Sequence, residues 1–138
     1  MGRVLAIDYG KKRTGIAVTD PLRIIATALE TVASDELLKF LQAYAQKETV
    51  DEFVVGMPMN LKGEDSEMAP FVRSFVEELK KIFPSKPIHL VDERFTSRMA
   101  QRAMIDGGMK KKDRRVKGNV DKISATIILQ DFLGRVNR

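Results

Sequence analysis

The sequence predicts an α/β domain in which one mixed β-sheet carries helices on its faces. Three observations predict it. Short apolar runs at Val4-Leu5-Ala6-Ile7, Gly15 to Thr19 and Ile24 to Val32 lead the chain, separated by turn residues. Two further short runs alternate with segments whose apolar residues recur at helical spacing, the pattern of strands joined through helices. A length of 138 residues with 43% hydrophobic composition is enough to bury one core without disulfides, so a single domain over 1–138 is expected.

The first strand is expected over Arg3 to Asp8, ending at Tyr9-Gly10, and the second over Gly15 to Thr19, most simply as an antiparallel hairpin. Asp20-Pro21 marks a turn before a third strand from Ile24 to Val32. Ser34 is a good N-cap for a helix in which Leu37, Leu38, Leu41, Tyr44 and Ala45 share a stripe. A strand from Glu52 to Gly56 follows, then a loop from Met57 to Asp65 containing Pro58, Asn60 and Gly63. The second helix is expected from Ser66 to Phe83, burying Phe71, Val72, Phe75, Val76, Leu79 and Ile82, with Pro84 beyond its end. Pro87 to Asp92 makes the fifth strand. Thr96 or Ser97 can cap a third helix that stops at Gly107-Gly108, and Asn119 to Val136 is the last of four.

Composition narrows the chemistry. The chain has no cysteine and one histidine, His89, which excludes disulfides, thiolate nucleophiles and Cys- or His-rich metal sites. Any metal must be held by oxygen. No run of about 18 apolar residues is present to span a bilayer, and the start lacks the features of a signal peptide, so a cytosolic protein with no membrane partner is expected. The net charge is +5, and the segment Lys110, Lys111, Lys112, Asp113, Arg114, Arg115 and Lys117 alone carries that excess, leaving the rest balanced. Such a block suits a polyanion, although a solvated loop has the same composition.

Three acidic positions stand out. Asp8 ends a strand with no polar interruption, where ligand sites of α/β sheets gather; the alternative is that it caps the turn into Tyr9-Gly10. Asp92-Glu93 ends another apolar strand, and because neighbours on a strand face opposite ways, only one of the two can share the face of Asp8. On a helical wheel of about 100° per residue, Asp121 falls inside the stripe of Ala125, Ile128, Leu129, Phe132, Leu133 and Val136. A carboxylate facing a core is costly without a cation or hydrogen bonds, though an acid near a helix start also serves as a cap. If the acids converge, their mutual repulsion calls for a divalent cation, and hard oxygen ligands favour magnesium or manganese. Basic residues lie near each acid: Lys12 and Arg13 beyond Asp8, Arg94 and Arg98 beyond Glu93, and the Lys110 to Lys117 block before Asp121. Each can hold a phosphate oxygen.

Four ordered motifs resemble the YqgF family, described as Holliday-junction resolvases and as nucleases for the 5′ end of small-subunit ribosomal RNA precursors. They are Ile7-Asp8-Tyr9-Gly10-Lys11-Lys12-Arg13-Thr14-Gly15, Val55-Gly56-Met57-Pro58 with Asn60 and Gly63, Asp92-Glu93-Arg94-Phe95-Thr96-Ser97, and Asp121 with Ser124-Ala125 and Ile128-Leu129-Gln130. The resemblance covers essentially the whole chain. It implies a ribonuclease H-like fold, a five-stranded mixed sheet with an antiparallel second strand flanked by about four helices. It also implies Asp8, Glu93 and Asp121 as the catalytic metal-binding acids, with Mg2+ or Mn2+ as cofactor. One departure stands out: the wider superfamily usually has an acid on the fourth strand, where this chain has Val55-Gly56-Met57-Pro58.

The function expected is phosphodiester hydrolysis in structured nucleic acid, most simply in a ribosomal RNA precursor. Junction resolution in branched DNA is the alternative and would require a homodimer to cut two strands. A binding module without catalysis would need the basic block but not the acids. An actin-like ATPase half, suggested by Ile7-Asp8-Tyr9-Gly10, would need a second duplicated domain that 138 residues do not provide.

Overall fold

A computed structural model describes residues 2–58, 67–92 and 117–136, the last segment with side chains over 123–134. The elements are β1 (Arg3–Asp8), β2 (Arg13–Thr19), β3 (Ala26–Ala33), α1 (Leu37–Lys47), β4 (Val50–Met57), α2 (Ala69–Ile82), β5 (Ile88–Asp92) and α3 (Lys117–Val136). They build a five-stranded sheet of order β3-β2-β1-β4-β5. β2 runs antiparallel to both neighbours, while β4 and β5 run parallel to β1. The expected third helix lies outside the described residues. No described helix is long and apolar enough to cross a membrane.

β1 is central because its sequence leaves it no other place. Val4, Leu5, Ala6 and Ile7 are each at most 1% exposed, the near-continuous burial of a strand covered on both faces. Alternation divides its residues between two cores. Leu5 and Ile7 join Ile16, Phe53 and Val55 under α1 and α2, whose Leu37, Leu41, Val72, Phe75 and Leu79 complete that side. Val4 and Ala6 join Ala17, Val54 and Val91 under α3, which contributes Ala125, Ile128, Leu129, Phe132 and Leu133. The α3 side is the thinner one, with alanines at 6, 17 and 125 where the other side has larger residues.

Local chemistry shifts several expected boundaries. The Asp20 carboxylate accepts the backbone N–H groups of Leu22, Ile24 and Ile25, so residues 20–25 form a compact turn and β3 begins at Ala26. Leu22, Ile24 and Ile25 are consequently exposed. Within this turn Arg23 adopts φ 60°, and its guanidinium reaches Asp51 at 2.9 Å and Glu52 at 2.6 Å. Ser34 does not cap α1: it opens a short 3-10 turn, Ser34–Glu36, and makes no side-chain cap bond. Phe71 is 47% exposed, not buried as expected, because it lies about 90° from the centre of the α2 stripe formed by Val72, Phe75, Val76 and Leu79. Described α2 begins at Ala69, with Pro70 in its first turn, later than the expected Ser66.

The ends of the strands opposite Asp8 are joined by charge. Besides Arg23, the Gly2 N–H donates to Asp51 at 2.9 Å, and Glu52 meets the His89 ring nitrogen at 2.9 Å. The Gly2 N–H, followed by Arg23, holds the Asp51 carboxyl below the usual aspartate range. A depressed folded-state value means that the contact stabilises above about pH 4 and that this part is lost as pH falls through the folded-state value. Acid titration of unfolding followed by circular dichroism is therefore expected to show a shallower loss below pH ~4 for Asp51→Asn than for wild type. Identical acid slopes would show that the contact does not act on stability.

Candidate metal and nucleic-acid site

Asp8 is the last residue of β1, opposite Gly15 of β2. Strand alternation puts it on the face of Val4 and Ala6, the face that α3 covers, and it is half-buried there. Val91 of β5 belongs to the same α3-side core, so Asp92, the next residue and an exposed one, belongs to the opposite face. Sheet register adds a further point. Ile7 pairs with Val55 and Gly56 with Val91, so Asp8, Gly56 and Val91 form one row across three strands. At its middle stands the fourth-strand residue without a side chain.

Asp121 lies within α3, one turn before Ala125 and two before Ile128, both buried against the sheet. Its side chain lies outside the described set. The described part of the helix begins at Lys117, ahead of the expected Asn119, so Asp121 is at least its fifth residue. Ser124, three residues on, is buried, and its hydroxyl has no hydrogen-bond partner among the described residues.

The loop after Asp8 is fixed by the residue that was expected to cap α1. The Ser34 hydroxyl donates to the Gly10 carbonyl and accepts from Thr14 at 2.9 Å, while the Ser34 N–H donates to the Lys12 carbonyl at 2.9 Å. Gly10 fits because a Cβ there would stand 2.4 Å from the Arg13 carbonyl oxygen. Tyr9 stacks on Phe75 with ring centroids 5.0 Å apart, and the Lys11 ammonium lies 4.8 Å from the Phe71 ring centre. Lys12 on this loop and Arg13 at the start of β2 are exposed. Lys11, Ser34 and Phe71 had no distinguishing mark as site residues in the sequence. Their roles come from partners far away along the chain.

Glu93, Arg94, Arg98, Lys110, Lys111, Lys112, Arg114 and Arg115 lie outside the described residues, as does the Lys117 side chain. Among the described residues no group of three or more acidic or histidine side chains gathers as a metal cluster. The donor that the described residues place at this end of β1 is a carboxylate, Asp8, the oxygen chemistry that a hard cation takes. His89, the only imidazole, stands in the row of Val54 and Ala6, where it is bonded to Glu52 and packed 4.8 Å from the Phe132 ring.

A family model described as RuvX, Holliday junction resolvase, matches residues 2–135. A relative from Amoebophilus asiaticus is 51% identical over 138 residues, all of this chain and 98% of that protein. One from Porphyromonas gingivalis is 53% identical over the full length of both. Both are provisionally named pre-16S rRNA nucleases. Among solved structures, Thermus thermophilus RuvC in complex with a Holliday junction substrate is similar with TM-score 0.59 and 15% identity, over 99% of this chain and 96% of that one. The fold is ribonuclease H-like, as the strand order and the antiparallel β2 require.

Gly10→Ala is expected to lower stability by about 1–3 kcal/mol in urea unfolding, because the new methyl group must push against backbone. Gly134→Ala, in open space on α3, is expected instead to be neutral or stabilising by up to about 1 kcal/mol. Equal effects at the two sites would show that the loop tolerates the methyl group.

Proposed function

The chain belongs to the RuvX family of Holliday junction resolvases, and from that premise we propose that it is a nuclease of structured nucleic acid whose substrate is the 5′ end of a small-subunit ribosomal RNA precursor. The names of the full-length relatives support RNA as substrate. The observation that carries the site is the placement of Asp8 on the α3 face of the sheet, with Asp121 on α3 one turn before buried Ala125. Residues 1–138 then act as a single nuclease domain working in the cytoplasm.

Asp8, Asp121 and Glu93 would hold Mg2+ or Mn2+. Once bound, such an ion lowers the pKa of water and stabilises the charge that develops on a leaving oxygen. Register supports Glu93 over Asp92, because the α3 face of β5 belongs to the parity of Val91. Gly56 puts no side chain into the row that it shares with Asp8 and Val91 between β1 and β5, which suits an acid supplied from β5 in place of one on β4. Lys12 and Arg13 orient the phosphate backbone from a loop that Ser34 holds in place, so little ordering remains to be done on binding. Arg94, Arg98 and the Lys110 to Lys117 block extend the same electrostatic contact along the strand.

Resolution of branched DNA is the second reading. The family description favours it, and it requires two copies of the site in a symmetric dimer.

Cleavage of a precursor RNA and of a four-way DNA junction, each with Mg2+ or Mn2+, separates these readings. Asp8→Asn, Glu93→Gln and Asp121→Asn are each expected to reduce cleavage by at least about a hundredfold, with thermal unfolding retained. Asp92→Asn is expected to cleave like wild type. No metal-dependent cleavage of either substrate would sink the nuclease reading, and an inactive Asp92→Asn would sink the choice of Glu93.

A further inference from the structure

We infer that the groove between the start of α1 and the first turns of α2 is a stacking site for one unpaired nucleobase of the substrate, with Phe71 as its platform. The inference rests on the nuclease reading for the identity of the ligand as nucleic acid, but not on any step of cleavage.

The groove is lined by Tyr9, Ser34, Asp35, Phe71, Ser74 and Glu78 and encloses about 240 Å3. That is below the roughly 300–1,000 Å3 of pockets for drug-sized ligands, so a single ring system is the natural occupant. Aromatic surface forms its walls. Phe71 is 47% exposed, and the Tyr9 ring is stacked on Phe75 at an interplanar angle of 19°. A half-exposed phenylalanine on a helix whose core stripe is already complete adds little to folding, but it offers a base a flat apolar face.

Charge decides which part of a nucleotide enters. Asp35 and Glu78 repel phosphate, yet their carboxylates accept hydrogen bonds from the amino groups of bases, and Ser34 and Ser74 supply hydroxyls. A cation is at the rim: the Lys11 ammonium sits over the Phe71 ring. A base inserted against Phe71 displaces the Lys11 ammonium from the ring, and the freed charge meets the adjoining phosphate. Position fits too: Tyr9 follows Asp8 directly, with its side chain on the opposite face of the sheet. A strand bent around the sheet end would present phosphate to one face and a base to the other.

The test is binding of the full chain, in EDTA, to a single-stranded RNA of about ten nucleotides carrying a central 2-aminopurine, with an RNA duplex of the same length as comparison. Wild type is expected to quench the 2-aminopurine fluorescence. Phe71→Ala should lose the quench and bind the single strand roughly 5- to 100-fold more weakly, while Phe71→Tyr retains both. Duplex affinity should stay within about twofold of wild type in both variants, since a paired base cannot enter. Lys11→Met should keep the quench but reduce the salt dependence by about one phosphate contact. Unchanged single-strand binding by Phe71→Ala, or a parallel loss of single-strand and duplex binding, overturns the inference. Metal-dependent cleavage by the same preparations separates the two failures: cleavage without quench sinks the stacking site alone, and quench without cleavage sinks catalysis alone.

Discussion

The burial of β1 on both faces is the constraint on which the rest of the structure depends. Four consecutive apolar residues, Val4 to Ile7, can satisfy their backbone groups and lose contact with water only in the middle of a sheet covered on both sides. That placement demands two independent layers of helix, one from α1 and α2 and the other from α3. It also delivers the next residue, Asp8, to the boundary between core and solvent. A carboxylate there is only partly hydrated, so its charge interacts more strongly with a cation than it would on an open surface.

The opposite end of the sheet is organised by charge where the middle is organised by burial. Arg23 bridges Asp51 and Glu52, Glu52 meets His89, and His89 packs on Phe132 of α3. Single exposed ion pairs contribute little, but these form a network that joins the β2–β3 turn to the starts of β4 and β5. The unusual backbone angle at Arg23 belongs to this arrangement: the turn bends so that one guanidinium can serve two acids of β4 and the Gly2 carbonyl. His89 thus takes part in fastening α3 to the sheet.

Much of this fold was legible because it follows from period. The β1 run, the antiparallel hairpin with β2 and the stripe of Ala125, Ile128, Leu129, Phe132 and Leu133 all emerged from spacing alone and recur in the structure. Features set by distant partners did not. Ser34 resembles an N-cap in its local sequence, but its hydroxyl is used on Gly10, 24 residues earlier. Ile24 and Ile25 carry strand propensity, but Asp20 draws their N–H groups into a turn. Phe71 shows how narrow the buried stripe is: about 90° from its centre, the ring is already 47% exposed. For the candidate site, Asp8 and the helix bearing Asp121 were legible as sequence positions. Which face Asp92 takes was not legible from its own strand, because it follows from Val91 packing in the core under α3.

The thin core under α3 has a consequence for how this protein can vary. Ala6, Ala17 and Ala125 lie where the helix meets the sheet, and their small size lets α3 lie close to β1. Helix-to-sheet distance is therefore stored in a few methyl groups, not in the acids themselves. Exchanging one of these alanines for valine would lift the helix and widen the gap between positions 8 and 121 without altering either carboxylate. Drift in such apolar positions would act as a vernier on the spacing of positions 8 and 121, set through residues that no survey of polar side chains would flag.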